Sequence, residues 1–201
     1  MLFNAPDLTV LNLILPTCCG PQDLALTSTH PNLRSFTFHG SILSGVPYED
    51  GPLTKDFLKR HPSIEHLDLR CHTSFEVDDE DLPKLRAVST DHSTLKGVDL
   101  FSQSARRPLN ALRLVHMPHL TVSTVSNLCS TVAQTLRYLH MESSIFSFRA
   151  NLPAFSDLLR SLPELEELRL GAESVCVYQT QHRLREDDLV RSQFCCDSCE
   201  I

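Results

Sequence analysis

A six-residue phrase, apolar-x-x-apolar-x-apolar, recurs along this 201-residue chain and constrains its fold more than any other feature. The last half of the phrase alternates apolar and polar residues with period 2, which is typical of a short β-strand. Successive copies begin 25, 31, 21, 24, 27 and 29 residues apart. The seven copies are LTVLNL from Leu8, LRSFTF from Leu33, IEHLDL from Ile64, LRAVST from Leu85, LNALRL from Leu109, LRYLHM from Leu136 and LEELRL from Leu165. The fourth copy ends in Thr90 instead of an apolar residue.

One copy alone cannot cover its three apolar side chains, so the copies must stack side by side. Stacking builds a parallel sheet over one continuous core, and parallel strands need a crossover between them. Leucine-rich repeats have lengths of about 20 to 29 residues. The sequence therefore predicts an α/β leucine-rich-repeat solenoid, a horseshoe-like arc with a parallel β-sheet on the concave side and helices and loops on the convex side. We expect about seven irregular repeats over residues 1–175, then a C-terminal helix and a cysteine-containing tail over residues 176–201.

Several crossovers between the copies have the apolar spacing of one helix face. Thr54 and Thr121 are predicted N-caps, because a threonine hydroxyl can accept a backbone N–H at the start of a helix. The predicted inward-facing residues are Phe57 and Leu58, then Val122, Val125, Leu128, Cys129 and Val132, and then Phe155, Leu158, Leu159 and Leu162. We expect a loop insertion within residues 41–52, a solvated loop at the acidic residues 76–81 and a short helix around residues 95–101.

Two copies of the phrase follow a His-Pro pair, in which His30 and His61 stand directly before a proline. The residue before proline is disfavoured in the helical region, so the preceding crossover helix must end there. The same position holds Leu82, Arg107 and Leu162 before other copies. Because the position does not require imidazole, we interpret both histidines as turn residues without a chemical role.

The charge balance and the N-terminus argue against several functional classes. With 18 basic and 25 acidic residues the net charge is −7, whereas nucleic-acid surfaces need clustered lysine and arginine. Residues 1–19 show no charged leader segment, and the apolar run at residues 8–15 is too short to cross a membrane. Eight cysteines in a chain without a secretory signal indicate reduced thiols. We therefore expect a monomer in the cytoplasm or nucleus that binds neither nucleic acid nor membrane.

We predict no catalytic, cofactor or metal site, and hence no enzyme. The chain contains no GxSxG, Walker or GxGxxG motif. The adjacent residues 91–93, Asp-His-Ser, are triad types, but neighbours in sequence cannot easily assemble triad geometry. Cys195, Cys196 and Cys199 form C-C-x-x-C without the second pair that common zinc modules use. A tail of reactive thiols is the simpler interpretation, and a zinc site is the alternative.

The polar strand positions predict a binding surface for a protein on the concave face. The middle row of that face reads Asn12, Thr37, Asp68, Ser89, Arg113, His140 and Arg169, and the row beside it reads Val10, Ser35, His66, Ala87, Ala111, Tyr138 and Glu167. Charged and aromatic residues gather in the later copies, and tyrosine and arginine are frequent anchors at interfaces. The predicted partner-binding residues are Asp68, Arg113, Tyr138, His140, Glu167 and Arg169. The simpler alternative is that an exposed strand face is polar in any protein.

Over roughly residues 5–172 the chain resembles the leucine-rich-repeat region of the fungal F-box protein family. The resemblance lies in HPNLRSFTF, HPSIEHLDL, LPKLRAVSTDHSTL, RPLNALRLVHM, TLRYLHM and LLRSLPELEELRL. It implies the substrate-recognition region of an F-box-type ubiquitin-ligase receptor.

Two departures from the family's pattern leave alternatives open. The usual Asn or Cys after each strand is missing, and no F-box segment of about forty residues precedes the first copy at Leu8. The chain would then be a repeat-only or truncated member. The alternative functions are a non-ligase leucine-rich-repeat scaffold and a truncated gene-model fragment without independent function.

Overall fold

The computed structural model describes residues 5–14, 26–40, 51–70, 75–78, 80–91, 94, 98–99, 107–115, 122–142, 156–171 and 177–178. The chain forms two compact units, Met1–Leu109 and Asn110–Ile201, called here the first and the second unit. The expected division after residue 175 stays a prediction, because residues 179–201 lie outside the described part of the chain.

The first unit contains four parallel five-residue strands that each carry one copy of the phrase. Its elements are β1 (Val10–Ile14), β2 (Ser35–His39), α1 (Gly51–Arg60), β3 (His66–Arg70), β4 (Phe75–Glu76), β5 (Ala87–Asp91) and β6 (Val98–Asp99). Strands β1, β2, β3 and β5 pair in that order, all parallel. The short strands β4 and β6 pair in parallel as a separate two-stranded sheet.

The second unit repeats this arrangement with three strands of the phrase. Its elements are β7 (Ala111–Val115), α2 (Val122–Ser130), β8 (Tyr138–Glu142), β9 (Glu167–Gly171) and β10 (Val177–Tyr178), and residues 156–160 are helical. Strands β7, β8 and β9 are parallel neighbours, and β10 runs antiparallel to β9.

Alternate residues of these strands form the core, and the residues between them form what we call the open face of each sheet. The buried strand residues are Phe36, Phe38, Leu67, Leu69, Val88, Thr90, Leu112, Leu114, Leu139, Met141 and Leu168. The first apolar residue of the phrase is buried as well at Leu33, Ile64, Leu85, Leu109 and Leu136. The predicted α/β leucine-rich-repeat fold is therefore confirmed.

The starts of five strands are each held by two backbone hydrogen bonds to one carbonyl of the preceding copy. The N–H groups of Arg34 and Ser35 both donate to the Thr9 carbonyl, at 2.9 and 3.0 Å. The same pattern recurs at the starts of β3, β5, β8 and β9. Because a slip of one residue would turn every apolar side chain to the open face, these bonds and the buried core select the same register.

The residue before proline begins a tight turn, and its side chain lies in the core. The Leu33 N–H donates to the His30 carbonyl at 3.0 Å, and the Ile64 N–H donates to the His61 carbonyl at 3.2 Å. The five residues of this position are between 0% and 3% exposed: His30, His61, Leu82, Arg107 and Leu162. The predicted turns are present, but sequence reasoning missed that the position belongs to the core.

His61 connects two copies of the phrase through both of its ring nitrogens. Its Nε2 accepts a hydrogen bond from the His30 backbone N–H at 2.8 Å, and its Nδ1 lies 2.6 Å from the Phe57 carbonyl. A carbonyl only accepts and an N–H only donates, so the ring must be neutral with its proton on Nδ1. The ring also stacks on Phe57 with centroids 4.0 Å apart. His61 thus links two adjacent copies of the phrase.

Burial is the main reason why the pKa of His61 is lowered from its ordinary value. The charges of His30 and Arg60 lower it further, whereas the hydrogen bond to the Phe57 carbonyl opposes the shift. His30 is held by its own contacts, with Nε2 at 2.8 Å from Ser28 Oγ and Nδ1 at 3.3 Å from the Ala5 carbonyl. The histidine pair is therefore a buried polar element of the core with hydrogen-bond partners on both rings.

The buried faces of the helical crossovers agree with the predicted faces. One predicted N-cap, however, is wrong. Phe57, Leu58, Val125, Cys129, Val132, Leu158 and Leu162 are buried, and Leu128 and Leu159 are half-buried. Helix α2 spans Val122–Ser130, and its predicted N-cap, Thr121, lies outside the described residues. Helix α1 begins at Gly51, so Thr54 lies inside it and the predicted N-cap is wrong. The hydroxyl of Thr54 is buried without a hydrogen-bond partner in the described part of the chain.

One predicted loop is more ordered than the sequence indicated, and one predicted helix is replaced in part by a strand. Within the acidic residues 76–81, Glu76 belongs to β4, and Asp78 lies 2.9 Å from Lys59 Nζ of α1. The carbonyl of Asp78 accepts a hydrogen bond from the buried Arg107 at 2.8 Å. Residues 98–99 form β6, so the short helix expected around residues 95–101 is wrong at these two positions. Residues 41–50 of the expected insertion lie outside the described residues.

Candidate functional site

The six predicted partner-binding residues all lie on an open face, but they do not share one unit. Asp68 belongs to β3 of the first unit. The other five belong to the second unit, on β7, β8 and β9: Arg113, Tyr138, His140, Glu167 and Arg169. We call these five residues the tyrosine–arginine site, and they form the candidate functional site.

The centre of the site is a row of three nitrogen-bearing side chains in direct register. Arg113 pairs with His140 across β7 and β8, and His140 pairs with Arg169 across β8 and β9. The pleat points their side chains to the same face, because directly opposed residues of neighbouring strands share a side. We call Arg113, His140 and Arg169 the Arg-His-Arg row.

Each arginine of the row is held by one carboxylate. Arg113 Nη2 donates to Glu142 Oε1 at 2.6 Å, and Arg169 Nε donates to Glu167 Oε1. The same Glu142 oxygen lies 3.4 Å from His140 Nε2. Strand alternation places each carboxylate two residues from a row member on the same face. The ion pairs therefore restrain the row before any partner arrives.

The two arginine side chains are more exposed than the glutamate side chains that hold them. The Arg169 side chain is 50% exposed and that of Glu167 is 19% exposed. The Arg113 side chain is 47% exposed and that of Glu142 is 34% exposed. About half of each arginine side chain is therefore accessible to a molecule that approaches the open face of the second unit.

His140 at the middle of the row has a pKa below its ordinary value. Partial burial is the largest cause, and repulsion from Arg113 and Arg169 lowers the pKa further against the attraction of Glu142 and Glu167. Near neutral pH the imidazole is therefore uncharged, and it can offer one donor or one acceptor to a ligand.

Tyr138 supplies the exposed aromatic surface of the site. Its side chain stands two residues before His140 on the same face, and the residue is 42% exposed. Its hydroxyl donates to Glu166 Oε2 at 3.2 Å, and Glu166 Oε1 accepts from Arg137 Nη1 at 2.8 Å. The bond to Glu166 is the main reason why the pKa of Tyr138 is raised, because the carboxylate stabilises the neutral phenol.

Sequence reasoning missed Glu142, Glu166 and Arg137, which hold the predicted residues in place. A signal for Arg137 and Glu166 was present, because they occupy the same position of neighbouring copies and carry opposite charges. Glu142 follows the phrase by one residue, so the six-residue pattern did not include it.

Asp68 is bound within the first unit and has its own neighbours. Arg70 Nε and Nη2 donate to its two carboxylate oxygens at 3.2 and 3.3 Å. His39 Nε2 lies 3.2 Å from Asp68 Oδ1, but it makes no hydrogen bond with the described residues. Asp68 is thus half-buried and already paired, and we leave it out of the tyrosine–arginine site.

The described residues show no group of three or more His, Cys, Asp or Glu side chains that could hold a metal ion. Cys195, Cys196 and Cys199 lie outside the described part, so the proposed zinc alternative stays a prediction. Burial raises the pKa of Cys129 to about 12, which keeps this thiol protonated inside the core. Among the helices that the structure describes, none has both the length and the apolar character that a membrane crossing needs.

Comparison with known proteins adds little to this picture. No protein-family model matches the chain, and no curated protein sequence matches it either. Among solved structures, the chain is similar to the crystal structure of human 5T4 (Wnt-activated inhibitory factor 1, trophoblast glycoprotein), with 22% sequence identity and a TM-score of 0.45. The match covers 70% of this chain and 52% of that one, so the chain spans about half the length of the matched protein. The fold assignment therefore rests on the strand order, register and core described above.

Proposed function

We propose that the chain is a protein-interaction module that binds its partner on the open face of the second unit, at the tyrosine–arginine site. The observation that carries the proposal is the combination of a 42% exposed tyrosine with two half-exposed arginines on three paired strands. Tyrosine and arginine are enriched among the residues that dominate binding energy.

The side chains of the site are already held by hydrogen bonds, and this favours binding. Ordering a long side chain at an interface costs about 0.5–1.5 kcal/mol. Glu142 and Glu167 already restrain the two arginines, and Glu166 restrains Tyr138. Because these side chains stand on strands with buried inner residues, a partner would meet a surface that needs little rearrangement.

The middle row on the open face of the first unit offers less to a partner than the Arg-His-Arg row. Its middle row consists of Asn12, Thr37, Asp68 and Ser89, and three of these side chains are small and uncharged. Asp68 is the charged member, and Arg70 already binds it. We therefore place most of the binding energy in the second unit.

A double substitution in the site tests the proposal. Tyr138→Ser with Arg169→Glu should reduce captured partner protein by at least about tenfold in an affinity pull-down read by quantitative mass spectrometry. A matched control, Asn12→Glu, changes an exposed residue on the open face of the first unit and should leave capture unchanged. Both variants should melt within about 2 °C of the wild type, because exposed substitutions change stability little. Undiminished capture by the folded double variant would refute the proposal.

The finer proposal is that the chain recognises substrates for an F-box-type ubiquitin ligase in the cytoplasm or nucleus. Its support is the resemblance of the repeat phrases alone. The test is immunoprecipitation of the full protein expressed from its own gene, followed by detection of a cullin adaptor. Recovery of the adaptor would support the ligase role, whereas recovery of partners without it would favour a non-ligase scaffold.

A further inference from the structure

We propose that β1 pairs antiparallel with β1 of a second copy of this chain, so that the two chains share one continuous sheet. The proposal goes beyond the proposed function, because it concerns the first unit and another partner, and it replaces the expectation of a monomer. Its basis is the outer edge of β1, by which we mean the edge that faces away from β2. This edge is apolar and uncharged, and no strand of the described residues pairs with it.

Alternate backbone groups of β1 point to the outer edge. Strand β1 stands at the end of the strand order of its sheet and pairs with β2. The Thr9 carbonyl accepts its two hydrogen bonds from the start of β2. Because successive residues of a strand direct their backbone groups to opposite edges, those of Val10, Asn12 and Ile14 face outward. An edge with free N–H and C=O groups is a template for pairing with another chain.

The side chains of β1 are less covered than those of the neighbouring strand. On the open face, Val10 is 51% exposed and Ile14 is 67% exposed. On the core side, Leu11 and Leu13 are half-buried, whereas the core residues of β2 are buried. Proteins usually protect an edge strand with charged residues or proline, and VLNLI contains neither. A strand that covers this edge would remove apolar surface from water, which favours association.

The sequence of β1 is self-complementary in an antiparallel pair centred on Asn12. In this register Val10 lies opposite Ile14 of the second copy, and Leu11 lies opposite Leu13 of the second copy. Each outward residue then stands in a hydrogen-bonded pair, where it donates one backbone bond and accepts another. Aliphatic side chains meet aliphatic side chains on both faces, and such cross-strand pairs stabilise a sheet.

Asn12 suits the two-fold axis of this pair, where a residue faces its own copy. A side-chain amide carries both donors and an acceptor, so it can bond to an identical amide. The same middle position of the phrase holds Asp68 in β3, Arg113 in β7 and Arg169 in β9. Each of these residues would oppose a like charge at the axis, which destabilises pairing. The strand at the outer edge therefore lacks the charge that prevents self-pairing elsewhere in the chain.

Sedimentation velocity of the full chain tests the proposal, with dithiothreitol present because eight cysteines can cross-link chains. Two five-residue strands form a small interface, so we expect a Kd of about 1–100 µM. Over a range of about 2–200 µM the average mass should rise from one chain towards two and not beyond. A single-chain mass at every concentration would overturn the proposal, and so would growth past the dimer.

Amide hydrogen exchange measured by NMR at both ends of this range locates the contact. The N–H groups of Val10, Asn12 and Ile14 should exchange at least about twofold more slowly at the high concentration. The N–H groups of Leu11 and Leu13 face β2 in both states and should change less. Equal protection of the outward groups at both concentrations would contradict the proposal, because it would mean that the edge is covered within one chain.

Two charge variants test the register. Val10→Lys with Ile14→Lys sets lysine opposite lysine at both ends of the pair and should weaken association at least about tenfold. Val10→Lys with Ile14→Glu sets lysine opposite glutamate at both ends and should associate at least about fivefold more tightly than the first variant. His66→Lys, a control at an exposed open-face position of β3, should change association less than about twofold. Equal association of the two charge variants would rule out this antiparallel register.

Melting temperatures within about 2 °C of the wild type would show that the variants are folded, because substitutions at exposed positions change stability little. Partner capture separates this proposal from the proposed function. The tyrosine–arginine site belongs to the second unit, so the variant with two lysines should lose the dimer and keep its captured partner. Loss of capture without a change of mass would mean that β1 contacts the captured partner instead of a second copy, and it would overturn the proposal.

Discussion

The substitution His61→Leu should lower the free energy of unfolding by about 2–4 kcal/mol. Leucine fills much of the ring's volume but has no acceptor for the His30 backbone N–H, which is held at 2.8 Å in the wild type. A buried donor left without a partner costs about 1–3 kcal/mol. The Phe57 carbonyl also loses its bond at 2.6 Å, and a typical hydrogen bond contributes about 1 kcal/mol net. The sum of the two losses gives the expected range.

Urea unfolding followed by circular dichroism measures this loss, because the chain has no tryptophan to report it. Amide hydrogen exchange adds a local measure, since the His30 N–H should lose protection when its acceptor is removed. The matched control is His66→Leu on the open face of β3, where the side chain is exposed. We expect the control to change stability by less than about 0.5 kcal/mol.

Equal stability of His61→Leu and His66→Leu would refute the reasoning, because it would mean that the ring makes no net contribution through its two hydrogen bonds. A third variant, His61→Ala, separates packing from hydrogen bonding. It also removes the ring that stacks on Phe57, and we expect it to be less stable than His61→Leu by about 1–2 kcal/mol.

Four further predictions follow from buried groups. Because the folded pKa of His61 is lowered, the unfolded chain takes up the proton first as the pH falls. The free energy of unfolding should therefore be highest above about pH 7 and decline below about pH 6.5. Urea titrations at several pH values should show a weaker decline in His61→Leu. The decline that remains in this variant comes from the lowered pKa of His140. Thr90→Val should raise stability by about 0.5–1.5 kcal/mol in urea melts, because the buried hydroxyl has no hydrogen-bond partner in the described residues. Leu67→Asp should abolish the cooperative thermal transition, since it buries a charge where the side chain is 2% exposed. Cys129 should react with a thiol reagent only after denaturant is added, because its pKa is raised to about 12, and rapid reaction in native buffer would contradict its placement.

The strands and their inner residues could be predicted from the sequence because both depend on local pattern. Phe36, Leu67 and Leu139 occupy the same position of the phrase, and period-2 alternation sends them to one side of a strand. Repetition then implies parallel stacking, since no copy can cover its own apolar residues. Thr90 shows how strong the pattern is, because this polar residue is fully buried where the phrase requires an apolar one.

The alignment of the Arg-His-Arg row could be predicted from the sequence, but the hydrogen bonds that hold its side chains could not. Equivalent positions of a repeat come into register, so Arg113, His140 and Arg169 were expected to align, and they do. The carboxylates that restrain them depend on side-chain direction and on a residue outside the phrase, Glu142. Asp68 was grouped with this cluster because it shares a row, whereas in the structure it is bound by Arg70 of its own strand.

The sequence by itself determined the repeat, the parallel strands and the turn before each copy, because alternation and proline sterics act over a few residues. Only the tertiary structure decided the role of the His-Pro pair. The partners of the His61 ring are a helix carbonyl four residues back and a backbone N–H thirty-one residues back, which meet only when two copies stack. A polar side chain can be read as an exposed turn residue or as a buried connector, and the difference lies in distant groups that supply its hydrogen bonds.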